Sequence, residues 1–226
     1  MEQKMEAVVR AFELPGGEAE LRPLGNGHIN KTFELRLSGQ EDRWVLQRIN
    51  DYVFKRPDQV QENILAVCSW LRQVIAAEGG DPEREAMRVI PARDGKAWYR
   101  DAEGGWWRVF TLVSHTESRN LPDSPEIFQE CGRTFGRFQR RLGNFPAETL
   151  HETIPHFHDT PDRFRQLEEA AERNEAGRLQ EIQAELAFCR ARYDRTGALV
   201  RALERGELPL RVTHNDTKLN NGMLDE

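Results

Sequence analysis

No apolar run in these 226 residues approaches the ~20 consecutive positions needed to cross a bilayer. The opening MEQKMEAVVRAFEL is not a secretory leader, because it reads as a charged amphipathic helix. Cysteine is scarce. Cys68, Cys131 and Cys189 are odd in number and far apart, as fits reduced thiols on helix faces in a cytoplasmic protein. Positive charge is not in excess: 32 Lys and Arg stand against 38 Asp and Glu, for a net charge of -6. That balance argues against nucleic acid as the main partner, yet it leaves room for a local basic pocket that holds phosphates. Internal repeats, low-complexity tracts and long heptad runs are also missing. With 38% hydrophobic and 31% charged residues, the composition is that of a folded chain with a heavily charged surface. The length suits one large domain or two lobes.

The N-terminal half alternates with a period of two. After a first helix stopped by Pro15-Gly16-Gly17, strands are predicted at Leu21 to Leu24, Thr32 to Leu37 and Arg43 to Ile49. The turn LGNGHIN between the first two holds two glycines where a loop could fold over phosphates and donate backbone N–H groups. The third glycine of a G-x-G-x-x-G loop is lacking, since Asn30 stands there, and Asn-Gly is equally a hairpin signal. In WVLQRIN, Leu46 and Arg48 share one face of the strand while Val45, Gln47 and Ile49 share the other. A kinase strand at this place sets a small or apolar residue under adenine and, two residues later, a cation on the phosphates. Leu46 and Arg48 fit that spacing, and an arginine can hold phosphate oxygens bidentately. Pro57 opens a helix to about Ala77 with Val60, Ile64, Val67, Leu71 and Val74 as its apolar stripe. Glu62, in its second turn, is the candidate partner for Arg48.

Three more strands are predicted at Arg88 to Pro91, Lys96 to Arg100 and Trp106 to Val113, the last apolar enough to be central. The polar stretch from Ser114 to Pro125 reads as a hinge, and the backbone near Leu112 to Ser114 as the seat of an adenine edge. Helices are predicted for Ser124 to Leu142, Asp162 to Asn174 and Leu179 to Glu204. Between them, His151, His156, His158 and Asp159 lack the spacing of a helical zinc motif and read as structural.

The most informative stretch is VTHNDTKLNN. His214, Asp216, Lys218 and Asn221 follow the spacing H-x-D-x-x-x-x-N of a kinase catalytic loop. A carboxylate such as Asp216 can orient a substrate hydroxyl and accept its proton. The Asn221 amide oxygen can reach a magnesium ion that bridges nucleotide phosphates. Lys218 can offset charge developing on the transferred phosphoryl group, and His214 can hold the loop. The bland alternative is a polar turn between two strands, where Asn and Asp are common.

LGNGHINKTF, WVLQRIN with its Gln-Glu-Asn helix, WWRVFTLV and THNDTKLNN occur in this order. Together they resemble the aminoglycoside phosphotransferase-like kinases, and within them the N-acetylhexosamine 1-kinases. The resemblance implies an α+β, protein-kinase-like fold: an N-terminal lobe with an antiparallel sheet, residues 1–113, and a helical C-terminal lobe, residues 114–226. It implies transfer of the γ-phosphoryl group of ATP, with magnesium, to a small-molecule hydroxyl, here the anomeric hydroxyl of an amino sugar. By position it makes Asp216 the catalytic base and Asn221 a metal ligand. Arg48, with Glu62 as its partner, becomes the phosphate-binding cation, and Gly25, Gly27 and His28 belong to the phosphate loop.

Members of that group continue past the catalytic loop to a second metal-binding aspartate, and Asp225 stands too close to Asn221 to replace it. The chain therefore reads as C-terminally truncated and, as it stands, weakly active or inactive. Two other readings keep part of the pattern. The acceptor could be an aminoglycoside, choline, homoserine or methylthioribose, or the chain could be a nucleotide-binding module without turnover.

Overall fold

A computed structural model describes residues 2–25 and 29–225, the side chains of Glu2 and Gln3 excepted. It divides into two compact units, residues 1–153 with 212–226, and residues 154–211. The stretch expected to act as a hinge lies within the larger unit.

The larger unit is built on an antiparallel sheet. Strands β1 (Ala19–Pro23), β2 (Lys31–Leu37) and β3 (Arg43–Ile49) form a meander. Short strands β4 (Val89–Ile90) and β5 (Tyr99–Arg100) both pair with β6 (Trp106–Thr111), which itself pairs with β3. The order β1-β2-β3-β6-β4 makes β6 a central strand, as its apolar sequence predicts. A small pair of β7 (Thr116–Glu117) and β8 (Leu224–Asp225) stands apart from this sheet.

The register decides what each face carries. Directly opposed residues share a face, and β2 sets Phe33 opposite Leu46 and Leu35 opposite Trp44. These residues gather under helix α1 (Glu2–Arg10), whose Val8, with Phe12 just beyond it, joins the main core cluster. The opposite face pairs Val45 with Phe110 and Gln47 with Arg108. Helix α2 (Pro57–Ala77) covers it, with Ile64 packed against the cluster of Val89, Ala97 and Phe110. Along α2 the buried positions are Pro57, Gln61, Cys68 and Ile75. The expected stripe from Val60 to Val74 is thus the flank of the buried face, which is centred one position further on. Gln61 hid that centre because its side chain is polar.

A four-residue turn of helix, α3 (Pro82–Glu85), follows α2 and is capped by Asp81. Helix α4 (Pro125–Arg141) begins where Ser124 Oγ accepts from the Ile127 N–H at 3.4 Å. It lies beside α2: Trp70 Nε1 donates to the Arg141 carbonyl at 3.0 Å, and Arg141 Nε to Glu78 at 2.9 Å.

In the smaller unit Asp159 caps α5 (Thr160–Arg173), which ends on Asn174 in the left-handed region. The single helix expected from Leu179 to Glu204 is broken. A 3₁₀ turn leads into α6 (Gln183–Arg190), and α7 (Tyr193–Thr196) and α8 (Ala198–Glu204) follow. Gly197 separates the last two, as expected of a residue with little helix preference. Arg190 holds Glu168 through two hydrogen bonds of 2.9 and 2.7 Å, which tie α6 to α5.

Among the described residues no helix is long and apolar enough to cross a membrane.

The turn before β6 is locked by Asp101, 8% exposed, whose carboxylate accepts from the N–H groups of Glu103 (2.9 Å) and Gly105 (2.8 Å) and from Trp107 Nε1 (2.8 Å). Burial alone would raise its pKa, but these donors hold it below the usual carboxylate value. Asp101→Ala strands three donors and should cost about 2–4 kcal/mol, read by denaturant unfolding. With its folded-state pKa depressed, the ionised group contributes stability above about pH 4, and that contribution disappears as pH falls through the folded value. The variant should therefore lose less stability than the parent between pH 5 and pH 3.

Candidate active site

Residues 212–221 run as an irregular segment that closes in a 3₁₀ turn, Leu219–Asn221. Two rings of α4 hold its start: His214 lies 5.3 Å from Phe135 and 5.9 Å from Phe138 between centroids. Its Nδ1 accepts from the Asp216 N–H at 3.3 Å. The histidine is therefore anchored by two ring contacts and this one hydrogen bond.

Asp216 turns its carboxylate toward the two residues grouped with it in the sequence. Lys218 Nζ lies 3.0 Å from Asp216 Oδ2. Asn221 Nδ2 donates to Oδ2 at 2.9 Å and to the Asp216 carbonyl at 2.8 Å. The backbone reinforces the turn, since Lys218 N donates to the Asp216 carbonyl and Asn221 N to the Lys218 carbonyl. The carboxylate stays half exposed, at 51%, so a ligand can reach it. The Lys218 ammonium, then the Asn221 amide, hold its pKa below the usual carboxylate value. Asn220 fastens the same loop to the stretch after β6, donating to Asn120 Oδ1 at 3.1 Å. Asp225 is engaged elsewhere, in an ion pair with Arg84.

The nucleotide side of the sequence reading needs correction at three positions. Leu46 is 0% exposed within the α1-side core, so it cannot lie against an adenine ring. Arg48 follows it on that face. Its Nε stands 3.1 Å from where a Cβ on Gly105 would be, beside the Asp101 turn. Glu62 belongs to α2, over the opposite face, and its carboxylate meets His151 Nε2 at 2.8 Å. The Arg48–Glu62 pair therefore does not form, because a sheet stands between them. Asn63 adds to the Glu62 contact by clasping the His151 backbone in both directions, at 2.8 and 2.9 Å.

Of the expected phosphate loop, Gly27 and His28 lie outside the described residues. Gly25 takes φ +71°, a left-handed conformation that glycine adopts without strain. At the end of β6, the Leu112 N–H is committed to the Arg43 carbonyl at 2.9 Å, and the Val113 carbonyl accepts from Thr116 Oγ1 at 2.9 Å. An adenine edge would have to use the Leu112 carbonyl and the Val113 N–H. Among the described residues no group of three or more His, Cys, Asp or Glu gathers as a metal site.

Sequence reasoning passed over the polar row on the α2 side of the sheet. Arg108 Nε donates to Gln47 Oε1 at 2.8 Å, and Gln47 Nε2 to Thr32 Oγ1 at 2.9 Å. The alternation in β2 was a usable signal, because Phe33, Leu35 and Leu37 mark one face as apolar and leave Thr32, Glu34 and Arg36 for the other.

The chain matches the model of the phosphotransferase enzyme family, APH, over residues 20–226. Among solved structures it is similar to spectinomycin phosphotransferase APH(9)-Ia, determined in complex with ADP and spectinomycin, at TM-score 0.52 and 10% identity. That superposition covers 100% of this chain and 65% of the other. An aminoglycoside phosphotransferase from Alicyclobacillus acidocaldarius subsp. acidocaldarius matches at 17% identity and TM-score 0.39, over 74% of this chain and 44% of that one. The chain thus spans less than two thirds of the length of each. The likeness to the spectinomycin enzyme is one of fold, an antiparallel sheet joined to helices. With the family match running from β1 through the Asp216 loop to the last strand, the chain belongs to the phosphotransferase enzyme family.

Proposed function

We propose that the chain forms the catalytic part of a cytoplasmic, ATP-dependent small-molecule kinase whose acceptor is the anomeric hydroxyl of an N-acetylhexosamine. One observation carries the reading. A half-exposed carboxylate, an ammonium and an amide converge within one short loop, with Asp216 3.0 Å from Lys218 and 2.9 Å from Asn221. Asp216 orients the acceptor hydroxyl and takes its proton while the acceptor oxygen bonds to the γ-phosphorus. The bond from that phosphorus to the bridging oxygen of ADP breaks. Lys218 offsets the charge on the phosphoryl oxygens. Leu112 and Val113 offer backbone groups to the adenine edge, and the turn at Gly25 leads into the phosphate loop. In this reading residues 1–113 act as the nucleotide-binding lobe and residues 114–226 as the catalytic one.

Magnesium takes hard oxygen ligands. Asn221 turns its amide nitrogen onto Asp216, so its amide oxygen points away and is available to such an ion, which would neutralise charge on the phosphates. The acceptor assignment rests on the QRIN and HNDTKLNN segments.

The test is an acceptor screen with ATP and magnesium, read by ADP release and by phosphorus NMR of the product. The panel holds N-acetylglucosamine, N-acetylgalactosamine, spectinomycin, choline, homoserine and methylthioribose. A sugar 1-phosphate, formed at a low rate, is the expected product. Turnover confined to another acceptor replaces the sugar and keeps the kinase. ADP binding with no turnover on any of them favours a non-catalytic module.

A further inference from the structure

We infer that the sheet face beneath α2 is an oxyanion site in which Arg108 is the phosphate-binding cation, with Gln47 as its brace and Gln61 as a second donor. The inference deepens the kinase reading and rests on it for the source of the phosphate.

Two independent observations point to an anion-binding site. The first is Arg108. Its guanidinium lies between the sheet and α2, and burial pushes its pKa down to about 10. Its described partners are the neutral Gln47 amide at 2.8 Å and the Phe110 ring, 4.9 Å away. Among the described residues no carboxylate pairs with it, and a charge drawn partly out of water without a counter-ion is unfavourable. The Cys68 thiol on α2 supplies no counter-charge, since burial pushes its pKa up to about 11.

The second is Gln61. It is 0% exposed, and both its amide nitrogen and its amide oxygen lack a hydrogen-bond partner. A buried amide left in this way costs free energy that a ligand can return. Gln61 sits on the buried side of α2, two turns before Cys68. Ile64, three residues further along α2, packs against the same Phe110 cluster as Val45, which stands two positions before Gln47 on β3. Because Gln61 makes no hydrogen bond where it is, its side chain loses none by rotating toward an entering anion.

The brace explains the geometry. Thr32, Gln47 and Arg108 stand side by side on β2, β3 and β6, and their two hydrogen bonds fix the Nε edge of the guanidinium. The Nη groups remain to grip oxygens, which suits the bidentate way arginine binds phosphate. This row lies on the opposite face of β3 from Arg48.

The phosphate could belong to a nucleotide or to a free polyanion, so titration calorimetry on the whole chain uses ADP, pyrophosphate and adenosine. For the parent, ADP should bind at least about tenfold tighter than adenosine, as charged hydrogen bonds to phosphate require. Arg108→Gln should erase that ratio and leave adenosine binding within about twofold, while Arg108→Lys restores part of it. Gln61→Leu should raise the melting temperature of the unliganded chain, because an apolar isostere removes the orphaned amide, and should weaken ADP binding. Equal affinity of the parent for ADP and adenosine overturns the inference without any variant. ADP selectivity that survives Arg108→Gln and Arg108→Lys overturns it and leaves the kinase reading standing. Pyrophosphate binding that needs Arg108, with no ADP binding, keeps the anion site and sinks the nucleotide assignment. A lower melting temperature for Gln61→Leu, or unchanged ADP affinity, removes Gln61 from the site.

Discussion

Asp216→Asn will lower turnover on the acceptor found by the screen by about 10²–10⁴-fold, the range expected when a general base is removed. Asparagine keeps the shape of the side chain and can still meet Lys218 and Asn221. The Asn221 bond to the Asp216 carbonyl, at 2.8 Å, does not involve the side chain at all. The melting temperature and the affinity for ADP should therefore stay near those of the parent while kcat collapses. That split separates a chemical role from a merely structural one, because a folding defect would lower all three together. The pH profile adds a second readout. Lys218 is the main reason the Asp216 pKa lies below the usual value, so the carboxylate is ionised throughout the neutral range and activity falls only well into acid. Lys218→Met removes that ammonium and should move the acid limb to higher pH. An unchanged limb would mean that Asp216 does not titrate in the rate. Wild-type turnover that survives Asp216→Asn intact would remove the base from this loop.

The sequence made much of this legible, for reasons that differ from place to place. The Asp216 loop was readable because its chemistry and its spacing are local. Eight consecutive positions hold the whole cluster, and no distant packing is needed to bring Lys218 and Asn221 to Asp216. The strands β2 and β3 were readable from their alternation and β6 from its apolar run, with glycine in the turns between them. Which face of β3 meets which helix was not. Alternation pairs Leu46 with Arg48 correctly but says nothing about whether α1 or α2 covers them. That choice is made by total burial: Val8, Phe12, Leu35 and Trp44 gather on one side, leaving the more polar face for α2. Gln61 was missed for the same reason, since a polar residue at the centre of a buried face breaks the apolar pattern used to find that face. The break within Leu179 to Glu204 was missed because helix-forming residues continue on both sides of Gly197.

The face assignment can be tested directly through Leu46. Leu46→Ala empties a position that is 0% exposed in the core shared by α1 and the sheet. Such a truncation costs about 2–5 kcal/mol, through lost transfer energy and through the cavity that remains. In a chain of this size each kcal/mol lowers the melting temperature by roughly 2–4 °C, so a fall on the order of 10 °C is expected. Val109 and Leu35 are buried in the same cluster, which limits how far the site can collapse around the hole. A nucleotide-contacting leucine would behave in the opposite way. Its loss would weaken ADP and adenosine alike and leave the unliganded melting temperature almost unchanged. Arg48→Ala is the companion measurement. Arg48 lies on the α1 face near Asp101, with its Nε 3.1 Å from a Cβ built on Gly105, so its removal should leave the ADP-to-adenosine ratio untouched. A ratio that collapsed with Arg48→Ala and survived Arg108→Gln would return the phosphate-binding role to β3 and reverse the assignment of the two faces.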